Sequence, residues 1–155
     1  MSRLLLALCV GAHITFGGPV VLTAQDGSYD ENALRLEGNR GGISIVRGVQ
    51  GTQMAHISAF RTTDLAKLVA PSEQAMVEAR IFSRDYIPGS WITALGIATM
   101  GAAIGASQIG DMNRAIPAGL TISAAALLIY GGGRLHNAYN ALSRSIWWYN
   151  RDLKK

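Results

Sequence analysis

Residues 91–133 read WITALGIATMGAAIGASQIG, then DMNR, then AIPAGLTISAAALLIYGGG. Each apolar arm carries about twenty residues without a charge, roughly what a helix needs to cross the hydrocarbon core of a bilayer. The interruption supplies Asp111, Asn113 and Arg114, and Pro117 follows where a first helical turn tolerates it. The pattern predicts a mainly α protein built around a two-helix, Gly/Ala-rich transmembrane hairpin.

Within the first arm Ala94, Ala98, Ala102 and Ala106 recur every four residues, and Gly101 and Gly105 form a GxxxG pair beside them. The second arm offers Gly119 with Ser123, and Ala118 with Ala126. Small side chains let helix backbones approach closely, and dispersion then holds the helices together in lipid. Ala94, Ala98, Gly101, Ala102, Gly105, Ala106, Gly119 and Ser123 are therefore the expected helix–helix contacts, between the two arms or between copies of the chain. The pattern resembles the glycine-zipper hairpins of bacterial envelope proteins. Thr93, Thr99, Ser107, Gln108, Thr121 and Ser123 keep both arms only moderately apolar. This leaves a competing expectation, a hairpin buried in a soluble or oligomeric protein. Gln108 needs a partner or a place at the membrane edge. A pore lined by Thr99, Gln108 and Ser123 is one use of such groups, and interhelical hydrogen bonding is the simpler one.

Outward from the arms, residues 134–155 continue as an amphipathic helix past the glycines at 131–133. Leu128, Leu135, Leu142 and Tyr149 repeat every seven residues, with Ala138 and Ile146 on the same face. Arg134, Asn137, Arg144, Arg151 and Lys154 occupy the opposite face. Such a helix lies on a membrane or packs against the chain's own N-terminal segment. Trp147, Trp148, Tyr149 and Arg151 suit either lipid headgroups or a protein partner. The apolar hairpin followed by NALSRSIWWYNR is similar to exported proteins of Bacteroidota-like bacteria, a group with no activity to carry over.

Residues 25–90 hold most of the charge, eight acids and seven bases. Gln25–Glu31 is polar and expected to be disordered. Ala33–Glu37, Ile43–Arg47 and Gln53–Ala59 read as strands separated by glycine turns, a small antiparallel meander. Three short strands bury little surface and need a helix to lean on. Thr62 or Thr63 is expected to cap a short helix that Pro71 ends, and Pro71-Ser72-Glu73 opens the next. Asp85–Gly89 is expected to break that helix at the membrane surface, with Tyr86 and Trp91 as interfacial aromatics. The GNRGG at 38–42 lacks the Lys-Ser/Thr and following helix of a phosphate loop and reads as a turn.

Residues 1–24 resemble a secretory signal peptide: Arg3, the apolar run Leu4–Val10, a Gly-Gly-Pro break, and Ala24 at the cleavage point. An uncleaved anchor is the alternative. Cys9 is the single cysteine, so removal of this segment leaves no thiol chemistry. The histidines at 13, 56 and 136 have no ligand-spaced partners, and Ser143 and Ser145 have no nearby base, so no catalytic, metal or cofactor site is expected. Fourteen basic residues scattered around an apolar hairpin also argue against nucleic acid as a partner. The tail after Gly133 carries five bases and one acid, so it is at +4. If exported, that tail opposes the positive-inside preference of an inner membrane, which leaves inner and outer membranes both open. The expectation is a non-enzymatic protein of the bacterial cell envelope. It would act by helix–helix assembly, as a homo-oligomer or a small accessory subunit of a membrane complex. A channel-forming oligomer and a soluble periplasmic interaction protein are the alternatives.

Overall fold

The computed structural model describes residues 27–109 and 113–154. The expected export segment 1–24, and Asp111 in the interruption, lie outside the described residues. The order of elements is α1 (Gly27–Asn32), β1 (Leu34–Asn39), β2 (Gly42–Arg47), β3 (Thr52–Ile57), α2 (Leu65–Leu68), α3 (Glu73–Ser107) and α4 (Ala115–Asp152). The chain is thus mainly helical, with one small sheet on the N-terminal side of two long apolar helices.

The expected meander is present as a three-stranded antiparallel sheet in the order β1-β2-β3. Arg40-Gly41 form the tight turn between β1 and β2, since Asn39 pairs with Gly42. Gly42 has φ of 143°, and a Cβ there would collide with the carbonyl oxygen of Ile57, so the turn requires glycine. The β2–β3 register slips between Ile45 and Val46, which pair with Ala55 and Gln53 and leave Met54 as the extra residue. Ser44, Ile45 and Val46 are all buried, so β2 does not simply alternate its side chains in and out.

Of the stretch Gln25–Glu31 expected to be disordered, residues 27–31 are described and lie in the short helix α1. It is held by the bond from the Ala33 amide to the Tyr29 carbonyl and by Gly48 and Val49 amides reaching Ala33 and Asp30 carbonyls. The short helix α2 is capped by Asp64, whose carboxylate accepts from the Lys67 amide, and not by Thr62 or Thr63. Ser72 caps α3 by accepting from the Ala75 amide at 3.3 Å.

The largest departure from expectation is at Asp85–Gly89. Helix α3 runs through it unbroken for 35 residues with Pro88 inside, and α4 runs 38 residues through Gly131–Gly133. Pro88 removes one ladder bond. Packing offsets that loss: Gly89 lies against Arg134 and Leu135, and Tyr86 donates a 2.9 Å bond to the Ser58 carbonyl. The boundaries expected at residues 90 and 133 therefore fall inside continuous helices, each of which serves both the head and the arms.

The head is the sheet laid on the lower halves of α3 and α4. Leu34, Ile45, Ala55 and Ile57 from the sheet meet Ala75, Ala79, Phe82 and Tyr86 of α3 and Ala138, Leu142, Ile146 and Tyr149 of α4. The seven-residue face expected in the C-terminal helix is the face that packs here. Asn150 fastens the sheet to α4. Its side-chain oxygen accepts from the Leu34 amide at 2.8 Å, and its side-chain NH2 donates to the Leu34 carbonyl at 2.7 Å. One side chain thus stands in for a neighbouring strand at the β1 edge. Asn150→Leu leaves both backbone groups of the buried Leu34 without partners, and is expected to cost about 1–3 kcal/mol in chemical denaturation.

Candidate functional site

The upper halves of α3 and α4 form the feature that the head does not explain. The two helices pair antiparallel from head into arms: Ser72 bonds Asp152 at 2.6 Å, Ser145 bonds the Ala75 carbonyl at 2.9 Å, and Gly89 meets Leu135, Thr93 meets Gly131 and Gly96 meets Leu128. The small residues at this seam recur every seven positions, at Gly89, Gly96 and Ala103 on α3 and at Ala124, Gly131, Ala138 and Ser145 on α4. A seven-residue spacing drifts only about 20° around a straight helix, so it stays facing a partner along the whole length. The contact is close. A Cβ on Gly131 would lie 2.8 Å from the Thr93 backbone nitrogen, and one on Gly96 would lie 2.9 Å from the Leu128 side chain.

Of the two contacts expected of the four-residue ladder, between the arms or between copies of the chain, the one between the arms is not made by its glycines. Steps of four turn a helix by about 40° each, so a row from Ala94 to Ala106 winds roughly a third of the way around it. Gly101, Gly105 and Gly119 have nothing within 4 Å of where a Cβ would stand. Ala98, Ala102 and Ser123 are exposed, and Ala94 and Ala106 are half-buried. These residues therefore lie mainly on the outer surface of the pair. The signal that locates the true seam, small residues seven apart, was present in the sequence but hidden among many alanines and glycines.

The outer surface is uncharged and carries large apolar side chains along its length, with Ser107, Thr121 and Ser123 exposed among them. Trp91, Leu95, Ile97 and Ile104 of α3 and Ile116, Ile122, Ile129 and Tyr130 of α4 all face outward, with Ile129 78% exposed. Only 17% and 11% of the most apolar window of each helix is buried within the chain. The Thr93 hydroxyl is buried at the seam with no partner among the described residues, while Thr99, Thr121 and Ser123 each donate to the carbonyl four residues back, at 2.8–2.9 Å. They form neither the interhelical bonds expected of them nor a converging polar track.

Charges bracket this surface. At the head end Asp85 is almost fully buried and accepts from Arg84 at 3.2 Å, with Arg134 3.6 Å away on α4. At the far end Arg114 precedes α4. From Ile87 to Ser107 and from Ala115 to Gly133 the helices carry no charged residue, a length of about 30 Å at 1.5 Å per residue.

The aromatic residues divide differently from expectation. Tyr86 is buried rather than interfacial, stacked on Phe82 with ring centroids 4.9 Å apart. Trp91 is exposed one turn beyond the charged boundary, and it touches Phe60, a residue the sequence did not single out, at 4.7 Å between rings. In the C-terminal aromatic segment Tyr149 is core, Trp148 is half-buried under the Arg151 guanidinium at 3.8 Å, and Trp147 points outward. The Trp147 end lies about 20 Å along α4 from Arg134, on the side away from the arms. Those residues are therefore displaced from the charged boundary, and the face that Trp147 presents belongs to the far end of the head.

His56 is engaged with Ser44 at 3.3 Å and His136 with Asn140 at 3.0 Å. Among the described residues no three His, Cys, Asp or Glu side chains converge. No protein family, characterised protein or solved structure matches the chain.

Proposed function

We propose that the chain is a non-enzymatic membrane protein of the bacterial cell envelope, anchored by the α3–α4 hairpin and acting through association with other helices. The observation that carries this reading is the uncovered apolar length of the arms. About 30 Å of outward-facing isoleucine, leucine and tryptophan, bounded by charges, matches the hydrocarbon thickness of a bilayer. An apolar surface of that extent left in water would drive aggregation. Residues 1–24 would act as an export signal or a further anchor.

The outer row of Ala98, Gly101, Ala102 and Gly105 is open for a second helix, either from another copy or from a larger complex to which this chain is an accessory. Because Thr99 and Ser123, two of the three residues expected to line a pore, spend their hydroxyl protons on their own backbones, a pore is a weaker reading than assembly.

Two measurements test the proposal. The full-length protein should remain in the pellet when membranes are washed with alkaline carbonate, and its release would overturn the membrane reading in favour of a hairpin sheathed by a soluble partner. Gly101→Leu and Gly105→Leu add bulk where nothing stands, so the monomer should keep its helicity and protease resistance. Crosslinked oligomers or the co-purifying partner should fall at least about ten-fold, as expected when close backbone packing is blocked. Unchanged assembly in both variants would remove the small-residue face from the mechanism.

A further inference from the structure

The loop between β3 and α2 sits at the charged end of the arms. Ser58 and Arg61 close it into a tight turn by exchanging backbone bonds of 2.9 and 3.1 Å. Phe60 is near its apex, against Trp91. Tyr86 pins the loop to α3 through the Ser58 carbonyl. Beside this turn an open cleft of about 720 Å³ has one apolar side, Phe60 and Ile87, and one polar side that includes His56, Arg61 and Thr63. Among the described residues no acidic side chain lines it.

Four arginines of α3 and α4 have carboxylate partners, while Arg80 and Arg114 have none among the described residues. Arg84 and Arg134 face Asp85, Arg144 faces Glu78, and Arg151 faces Asp152. The Arg61 guanidinium meets no carboxylate among the described residues. Thr63 spends its hydroxyl proton on the His56 carbonyl, so the cleft's strongest free donor is that guanidinium. An unpaired cation, an apolar wall continuous with the arms, and a tryptophan–phenylalanine pair at the same level form a surface with one wet, positive side and one oily side.

We propose that this cleft binds one anionic phospholipid. Its phosphate would lie on the Arg61 guanidinium, and its acyl chains would run from Phe60 and Ile87 down the outer surface past Trp91. The site rests on the membrane-spanning reading of the arms, because only then do Phe60 and Trp91 stand at headgroup depth. Charge selects the occupant: a zwitterionic lipid brings its own cation to the Arg61 side, whereas phosphatidylglycerol brings none.

The test uses full-length protein in nanodiscs containing equal phosphatidylglycerol and phosphatidylcholine, with retained lipid counted by native mass spectrometry after transfer to detergent. One tightly held phosphatidylglycerol is expected. Arg61→Gln should weaken its retention about five-fold or more, Arg61→Lys should restore part of it, and Arg35→Gln, on the β1 edge beside Glu37, should leave it unchanged. Arg61 is exposed, so the fold is expected to survive the substitution. Equal retention of the two lipids, or no response to Arg61→Gln in protein that still resists a carbonate wash, overturns this site and leaves the anchor standing. Displacement of the lipid by inorganic phosphate alone would show an anion site indifferent to lipid and would also overturn it. Release of the protein by carbonate identifies failure of the anchor itself.

Discussion

Phe82→Ala should destabilise the protein by about 3–5 kcal/mol, the range for truncating a fully buried aromatic. Phe82 is 0% exposed and lies where α3, α4 and the sheet meet. Its ring stacks on Tyr86, which in turn meets Tyr139 edge-on at 5.8 Å between centroids and holds the β3–α2 loop through Ser58. Truncation opens a cavity and frees Tyr86, so the loss should spread to the loop and to the Phe60–Trp91 contact. Denaturation of the full-length protein in detergent gives the total. Hydrogen exchange should show residues 56–63 opening first. A loss below about 1 kcal/mol would mean that the sheet is not seated on the helices as described.

The second large effect separates the two kinds of glycine. Gly131→Ala places a Cβ against the Thr93 backbone, which has no flexible end to move aside, and should cost about 1–3 kcal/mol, with Gly131→Leu costing more. Gly105→Ala meets open space, so it gains helix propensity and should leave the monomer unchanged or more stable by up to about 1 kcal/mol. The opposite signs are the diagnostic. If both substitutions destabilised the monomer equally, the seam would run along the four-residue ladder and not along the seven-residue one.

That contrast also shows what was legible in the sequence. The hairpin, the antiparallel meander and the inward face of Leu142, Ile146 and Tyr149 could be read because each rests on a local period or a turn residue. The row that faces the partner arm could not be picked out because the thirteen residues from Ala94 to Ala106 offer several small-residue rows at once, and only the partner helix selects among them. Asp85–Gly89 carries the composition of a break, yet Gly89 is there so that α4 can approach, and that contact is distant in sequence. Phe60 and Arg61 gave no sequence signal, since their placement depends on Tyr86 reaching back to Ser58. Trp147 and Trp148 were expected at an interface, and it is the length of α4, not their own composition, that sets them about 20 Å from the charged boundary at Arg134.

The two helices pass from head to arms without a joint. If the arms span a bilayer as proposed, a membrane thinner than their length makes them lean, and the head must lean with them. A lean of about 20° carries the Trp147 end sideways by roughly 7 Å over its ~20 Å height. On the membrane reading proposed above, the molecule is a lever: the longer pair of arms takes up the bilayer's tilt, and the free end of the head swings an aromatic contact with it.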